Sequence, residues 1–278
     1  MESELSKAEM VMQSITTKFA KSIISPFAEA VNKYKLISDG DRIAVCVSGG
    51  KDSMLLAKLM QYYLKAGNVD FTVRFISMNP GYDERNLTQL ERNADMLDVP
   101  IEIFQTNVLK VAESSGKSPC GLCARMRRGY LYNKAVELGC NKIALGHHFN
   151  DVIETTLMGM LYGAQIQGML PKLKSRNYEG VELIRPLYCV HESDISDWVK
   201  ANELEFITCG CKHAKGETAS KRQEIKKLIV ELSRTNPKIE KNIFNSIHTA
   251  DVDTLVGYKL KGVKHSFLER FDFVENEH

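Results

Sequence analysis

Ile43-Ala44-Val45-Cys46-Val47-Ser48-Gly49-Gly50-Lys51-Asp52-Ser53-Met54-Leu55-Leu56-Ala57-Lys58-Leu59-Met60 is the stretch whose reading decides the fold. It opens on an apolar run and closes on apolar positions at helical spacing, which predicts strand, tight turn and helix. Gly49 and Gly50 open dihedrals closed to other residues and let the backbone come close to a ligand. Main-chain N–H groups can then converge where a helix begins, a point whose dipole also favours an anion. The stretch therefore reads as a phosphate cradle, with an ordinary tight βα turn as the plain alternative. Its spacing matches neither GxxxxGK[ST] nor GxGxxG.

Outward from this stretch, strand and helix signals alternate. Strands are predicted at Arg42 to Val47, Phe71 to Met78, Ile101 to Phe104, Lys142 to Leu145 and Val181 to Pro186. Helices are predicted at about Glu84 to Leu97, Gly121 to Leu138, Asp151 to Tyr162 and Glu192 to Asn202, after the helix that follows Ser53 and ends near Gly67. Such alternation implies an α/β fold, a parallel sheet with helices on both faces, with ligands beyond the carboxyl ends of the strands. Upstream, Ala8 to Tyr34 shows helical spacing that Ser25-Pro26 should break or kink. The segment Ala164 to Gly180 reads as a loop, and Phe206-Ile207-Thr208 as strand-like. Downstream, Lys221 to Ser233 and Pro237 to Ile247 read as lysine-rich helices with little strand signal. The expected organisation is a helical segment over 1–40, a parallel-sheet domain with the phosphate cradle over 41–205 and a helical C-terminal extension over 206–278.

With 278 residues, 44% hydrophobic and 26% charged, the composition is that of an ordinary globular protein with a sizeable core. No apolar run approaches the roughly 20 residues of a membrane span, and the acidic start Met1-Glu2-Ser3-Glu4 is unlike a signal peptide. The expected place is the cytoplasm, without a membrane partner. The 37 basic residues nearly balance the 35 acidic ones, so a nucleic-acid surface must be local. Lys172, Lys174 and Arg176 form one candidate cluster; Lys212, Lys215, Lys221, Arg222, Lys226 and Lys227 form another.

The seven cysteines are an odd count without a secretory signal, which argues for reduced thiols. Cys120-Gly121-Leu122-Cys123 falls where a helix begins, a position that favours thiolates. With Cys209-Gly210-Cys211 it offers four sulfurs, which suit a structural zinc, an iron-sulfur cluster or a redox pair. Cys46, Cys140 and Cys189 read as buried structural thiols. Trp198 reads as a packing residue.

The string Ser48 to Ser53 resembles the pyrophosphate loop of the N-type ATP pyrophosphatases. Three stretches together are similar to the tRNA 2-thiocytidine synthetase group of that superfamily: Tyr34 to Ile43 running into the loop, Cys120 to Gly129, and Lys142 to His148. The similarity runs from about residue 30 to about residue 210. It implies a PP-loop, adenine nucleotide alpha hydrolase-like domain that binds ATP and Mg2+ and acts as a tRNA sulfurtransferase. The C2 oxygen of a pyrimidine, cytidine 32 foremost, would be adenylated and then replaced by sulfur, with uridine thiolation as the alternative base chemistry. An ATP- or redox-sensing metal protein is the alternative of another class. The resemblance assigns a [4Fe-4S] cluster to Cys120, Cys123 and Cys209. The later pair is a C-x-C where the group has a wider C-x-x-C, so Cys211 stands as the alternative third ligand.

The same resemblance gives ATP binding to Ser48, Gly49, Gly50, Lys51, Asp52, Ser53, Met78, Gly146 and His147. It gives catalytic roles to Lys51, Asp151, Arg127 and Arg128. Where the group usually shows two adjacent acids, this chain has Asn150-Asp151, and only Asp151 carries over. A satisfied pair at a strand end is the plain alternative for His147 and His148. Expected partners are tRNA, a sulfur donor (a cysteine desulfurase or sulfide) and a second copy of the chain.

Overall fold

A computed structural model describes residues 5–109, 111, 119–207 and 217–271, with the backbone alone described for 119–121, 123, 124 and 217–220. Its centre is a six-stranded sheet. The strands are β1 (Asp41–Cys46), β2 (Phe71–Asn79), β3 (Ile101–Gln105), β4 (Lys142–Ala144), β5 (Lys172–Lys174) and β6 (Glu182–Ile184), in the order β3-β2-β1-β4-β6-β5. All neighbouring pairs are parallel except β5 with β6. Strand order reverses between β1 and β4, and in open α/β sheets the crevice beyond the carboxyl ends at such a point takes the ligand.

The helices are α1 (Lys7–Thr16), α2 (Ser25–Lys33), α3 (Lys51–Ala66), α4 (Glu84–Met96), α5 (Pro119–Glu137), α6 (Phe149–Gly163), α7 (Glu192–Ala201), α8 (Glu217–Thr235), α9 (Ile239–Ser246) and the short α10 (Leu268–Phe271). The pleat of the strands sorts their side chains between two cores. Ile43 and Val45 of β1 join the larger one with α1 to α4, α6 and α7, whereas Ala44 of β1, Ile76 of β2 and Ile143 of β4 turn to the other face and meet Ala135 of α5. Both faces are thus covered, and α3 is buried along Ser53 to Met60. Gly67 ends α3 in the left-handed conformation at φ 68°.

Four local expectations are corrected. The Ala164 to Gly180 segment holds the edge strand β5, pinned by Arg185 N–H donating to the Pro171 carbonyl at 2.9 Å. Phe206 and Ile207 form no strand, although the Ile207 N–H donates to the Gly49 carbonyl at 3.2 Å; Thr208 lies outside the described residues. Pro26 does not break the N-terminal helices, although the turn before it, Ala20–Ile24, is π-helical in place of α-helical. They separate earlier, at Thr17, and Pro26 lies in the first turn of α2, where its missing N–H costs nothing. Finally, the C-terminal extension is not all helical: β7 (Gly257–Leu260) and β8 (Val263–Ser266) make an antiparallel hairpin. Its two-residue turn has φ 49° at Lys261 and 88° at Gly262, as a type I′ turn requires. No described helix is long and apolar enough to cross a membrane.

Candidate active site

The loop after β1 closes on one hydroxyl. Ser53 Oγ accepts from Ser48 N–H at 3.1 Å, lies 3.2 Å from Ser48 Oγ, and donates to the Gly50 carbonyl at 2.9 Å. Gly49 has φ 85°, so its conformation calls for glycine, and a Cβ there would lie 2.7 Å from Ile207 Cδ1 and push that methyl aside. Gly50 caps α3 with no side chain, which leaves the first-turn N–H groups open to a ligand. At Gly146 a Cβ would come within 3.1 Å of the Asp52 and Ser53 backbone. Glycine at this position therefore lets the end of β4 abut the start of α3.

Between these ends lies a pocket of about 380 Å3. The loop and α3 contribute Ser48, Asp52 and Ser53; β2 contributes Met78; α5 contributes Arg127, which donates from Nη2 to Tyr82 Oη at 3.3 Å. The turn after β4 adds Gly146, His147 and Asp151, and α8 adds Arg222. A larger groove of about 1310 Å3 lies along α1 and the amino-terminal parts of β2 and β3, away from the carboxyl ends and the glycine loop. The chemistry therefore points to the smaller pocket.

Most of the expected ATP-site residues meet here, but three expected catalytic residues differ in their placement. Arg127 lines the pocket, whereas Arg128 is exposed outside the lining. Lys51 is not among the lining side chains. Its Nζ lies 2.7 Å from Asp52 Oδ1 and 3.2 Å from Glu192 Oε1. Burial works against its charge, but these two carboxylates outweigh it and hold the ammonium above its ordinary pKa.

His147 and His148 differ in environment. His148 caps α6, its Nδ1 accepting from Asp151 N–H at 3.4 Å while Asp151 Oδ2 accepts from His148 N–H at 3.1 Å. The plain reading of a satisfied strand-end histidine therefore holds for His148. His147 keeps Nδ1 buried without a partner. Burial, with Arg185 nearby, pushes its pKa down to about 4, so it is neutral at pH 7.

The wall beside the pocket is a charge lattice that sequence reasoning missed. Arg222 lies 3.6 Å from Asp151 and 3.0 Å from Glu154, and Lys226 lies 3.6 Å from Glu154 and 2.9 Å from Glu192. Arg222 and Lys226, two of the residues of the second basic cluster, thus pair with carboxylates beside the pocket while staying about two-fifths exposed. Burial pushes Glu154 up to about 7 in spite of Lys226 and Arg222. At Glu192 burial acts the same way, yet the hydrogen bond from Lys226 and the charges of Lys51 and Lys226 prevail and hold it down at about 2. Two carboxylates sharing one lysine are driven in opposite directions. The only signal in the sequence was helical spacing on α8, with Ile225 and Ile229 buried beside Arg222 and Lys226. In the other proposed cluster, Lys172 donates to the Lys35 carbonyl at 2.8 Å, and Lys174 and Arg176 are exposed. Lys212 and Lys215 lie outside the described residues.

The cysteine sites can be followed by backbone. Cys120 and Cys123 lie one helical turn apart at the start of α5, the helix that carries Arg127 into the pocket. Cys209 and Cys211 lie outside the described residues, two and four positions beyond Ile207, which is bonded to Gly49. The helix that begins with Cys120 and Cys123 thus runs into the pocket wall at Arg127 and Leu131. Cys46, Cys140 and Cys189 are free thiols, and burial pushes all three up, Cys46 and Cys189 to about 12. Trp198 is fully buried, as its reading as a packing residue requires.

A family profile described as the PP-loop domain matches residues 16–215. The tRNA-cytidine(32) 2-sulfurtransferase of Coxiella burnetii is 36% identical over 246 residues, 86% of this chain and 94% of the relative. That of Anaeromyxobacter dehalogenans is 34% identical, covering 83% and 79%, and that of Paraburkholderia xenovorans 32%, covering 93% and 77%. Among solved structures, the U34-tRNA thiolase NcsA from Methanococcus maripaludis with its [4Fe-4S] cluster superposes with a TM-score of 0.65 at 20% identity, over 81% of this chain and 76% of that one. The last comparison speaks to the fold, which is the one the strand and helix alternation predicts. By its matched domain and by these relatives, the chain belongs to the PP-loop family and, within it, to the family of the tRNA-cytidine(32) 2-sulfurtransferases.

Proposed function

We propose that this protein is an ATP-dependent tRNA sulfurtransferase that exchanges the C2 oxygen of a cytidine, position 32 by its relatives, for sulfur in the cytoplasm. The observation that carries this is the meeting, at the β1–β4 switch point, of an open helix N-terminus with α5, the helix that starts at Cys120 and Cys123 and lines the pocket with Arg127. ATP would enter with Mg2+, its β and γ phosphates on the loop from Ser48 to Ser53 and its nucleoside toward Met78, Gly146 and His147. The C2 oxygen attacks the α phosphorus, the bond to the β-phosphate oxygen breaks, and pyrophosphate leaves. The loop amides, joined by Lys51 once it turns from Glu192, stabilise that leaving group. Sulfur then adds at C2, and AMP departs with the former C2 oxygen.

Arg127, with Arg128 behind it, would hold the adenylated base, and Asp151 would face the reacting ring. Bringing nucleotide and base into one cavity makes the attack effectively intramolecular. The thiols Cys120, Cys123 and Cys209, with Cys211 as the alternative third, suit a [4Fe-4S] cluster in number and in chemistry. When bound, that cluster would supply an open iron to carry the sulfur. A cysteine desulfurase or sulfide would provide the sulfur, and the working unit would be a homodimer.

The test is nucleoside mass spectrometry of unmodified tRNA incubated anaerobically with the iron-loaded protein, ATP and sulfide. Appearance of 2-thiocytidine is expected. An ATP-dependent thiolated uridine with cytidine untouched would reassign the base, and no thiolation of any base would refute the proposal.

A further inference from the structure

Arg222 reaches the pocket wall from α8, beyond the residues matched by the PP-loop profile. It is surrounded by opposite charge yet loosely held. Its Nε lies 3.0 Å from Glu154 Oε2, but the N–H is not aimed at the oxygen, and both atoms are buried without a hydrogen bond. Its Nη1 lies 3.6 Å from Asp151 Oδ1, beyond hydrogen-bond length. A guanidinium fork that fits carboxylate and phosphate in the same bidentate way is here next to an anion pocket, with no hydrogen bond to the described residues.

Charge balance points the same way. Among the described residues, Asp52, Asp151, Glu154 and Glu192 are paired with only three lysine or arginine cations, Arg222, Lys226 and Lys51, and each cation touches at least one of those carboxylates. Nucleotide phosphates added beside this lattice would repel its carboxylates unless a cation turns toward them. Lys226 is bonded to Glu192 at 2.9 Å and does not line the pocket, whereas Arg222 does.

We infer that Arg222 is a substrate ligand. On nucleotide binding its guanidinium leaves Glu154 and takes the α-phosphate, the group that accepts the tRNA base. Resting on the ATP chemistry proposed above, this adds a phosphate contact made by the C-terminal extension. It has a second consequence. The charged groups facing Glu154 are Asp151 on its own helix, Glu192 on α7, and Arg222 and Lys226 on α8. Losing Arg222 from that set leaves two carboxylates and one lysine around Glu154, which therefore takes up a proton as the nucleotide binds.

The experiment uses the full chain and α,β-methylene ATP with Mg2+, without tRNA, by titration calorimetry at pH 7.5 in two buffers of different ionisation enthalpy. The wild type is expected to bind with net uptake of up to about 0.7 proton per site. Arg222→Ala should bind about 10–100-fold more weakly, and Arg222→Lys, which keeps the charge but loses the fork, about 10-fold more weakly. Glu154→Gln should bind without that uptake. Urea unfolding of each variant separates weakened binding from lost folding, and Arg222→Lys serves if Arg222→Ala does not fold. Binding of both Arg222 variants within threefold of wild type would overturn the inference while leaving the ATP reading standing. So would uptake that persists in Glu154→Gln. No binding by the wild type would overturn both.

Discussion

Glu154→Gln should make the protein more stable at alkaline pH. The Glu154 side chain is 3% exposed, and its pKa is raised from 4.5 to about 7. A raised carboxyl pKa means the folded state prefers the proton. The stability tied to this group is therefore fully present below pH 4.5, falls as pH rises toward 7, and is lost above that. The difference of about 2.5 units corresponds to about 3 kcal/mol between protonated and ionised forms. Glutamine keeps the shape and cannot ionise, so the variant avoids that loss and should gain about 2–3 kcal/mol over wild type at pH 8.5 but little at pH 5.

Wild type alone would not reveal this. His147, depressed from 6.5 to about 4, contributes stability that is present above pH 6.5 and lost as pH falls to 4, opposite in sign over nearly the same range. Glu192, depressed to about 2, contributes fully throughout pH 5–8.5 and does not interfere. The assay is urea unfolding of wild type and variant at half-unit steps from pH 5 to 8.5, plotted as the difference. A difference that stays flat within about 0.5 kcal/mol, or that favours wild type as pH rises, would refute the reasoning that desolvation outweighs Arg222 and Lys226 at Glu154.

Three further outcomes follow from the same geometry. Gly49→Ala, forced to hold φ 85° with its Cβ 2.7 Å from Ile207, should lose about 1–3 kcal/mol of stability and weaken nucleotide binding, both read by thermal unfolding with and without ATP. Single alanine replacements of Cys120, Cys123, Cys209 and Cys211, purified anaerobically, should abolish iron and sulfide content at three positions and spare it at one; loss at all four would mean complete cysteine ligation. Arg127→Ala should lower tRNA-dependent pyrophosphate release about 10–100-fold and Arg128→Ala far less, since only Arg127 lines the pocket; equal losses would contradict that division.

The strand, loop and helix around Ser48 to Ser53 were legible because glycine, apolar run and helical spacing are all local signals. The sheet followed from them, and the switch point that makes the pocket followed from the sheet. Elements without a strong local pattern were not legible. Strand β5 is three residues long and exists by pairing with β6, and the β7–β8 hairpin turns on Lys-Gly in place of the stronger Asn-Gly signal. The pairing of Arg222 and Lys226 with Glu154 and Glu192 depends on α8 packing against α6 and α9, contacts between residues far apart in sequence that a run of lysines does not announce. Ile207 at Gly49 is the same kind of fact: the glycine was recognised as a phosphate residue, while its second reason, a neighbour from a distant segment, needed the fold.

The most direct measurement is the fate of ATP in the presence and absence of unmodified tRNA, with AMP, ADP and pyrophosphate quantified beside 2-thiocytidine. Attack of the base oxygen on the α phosphorus of ATP, followed by loss of AMP from C2, predicts AMP and pyrophosphate in equal amounts, both requiring tRNA, and at least one of each per thiolated nucleoside. Release of ADP and phosphate, or AMP formed equally well without tRNA, would contradict it.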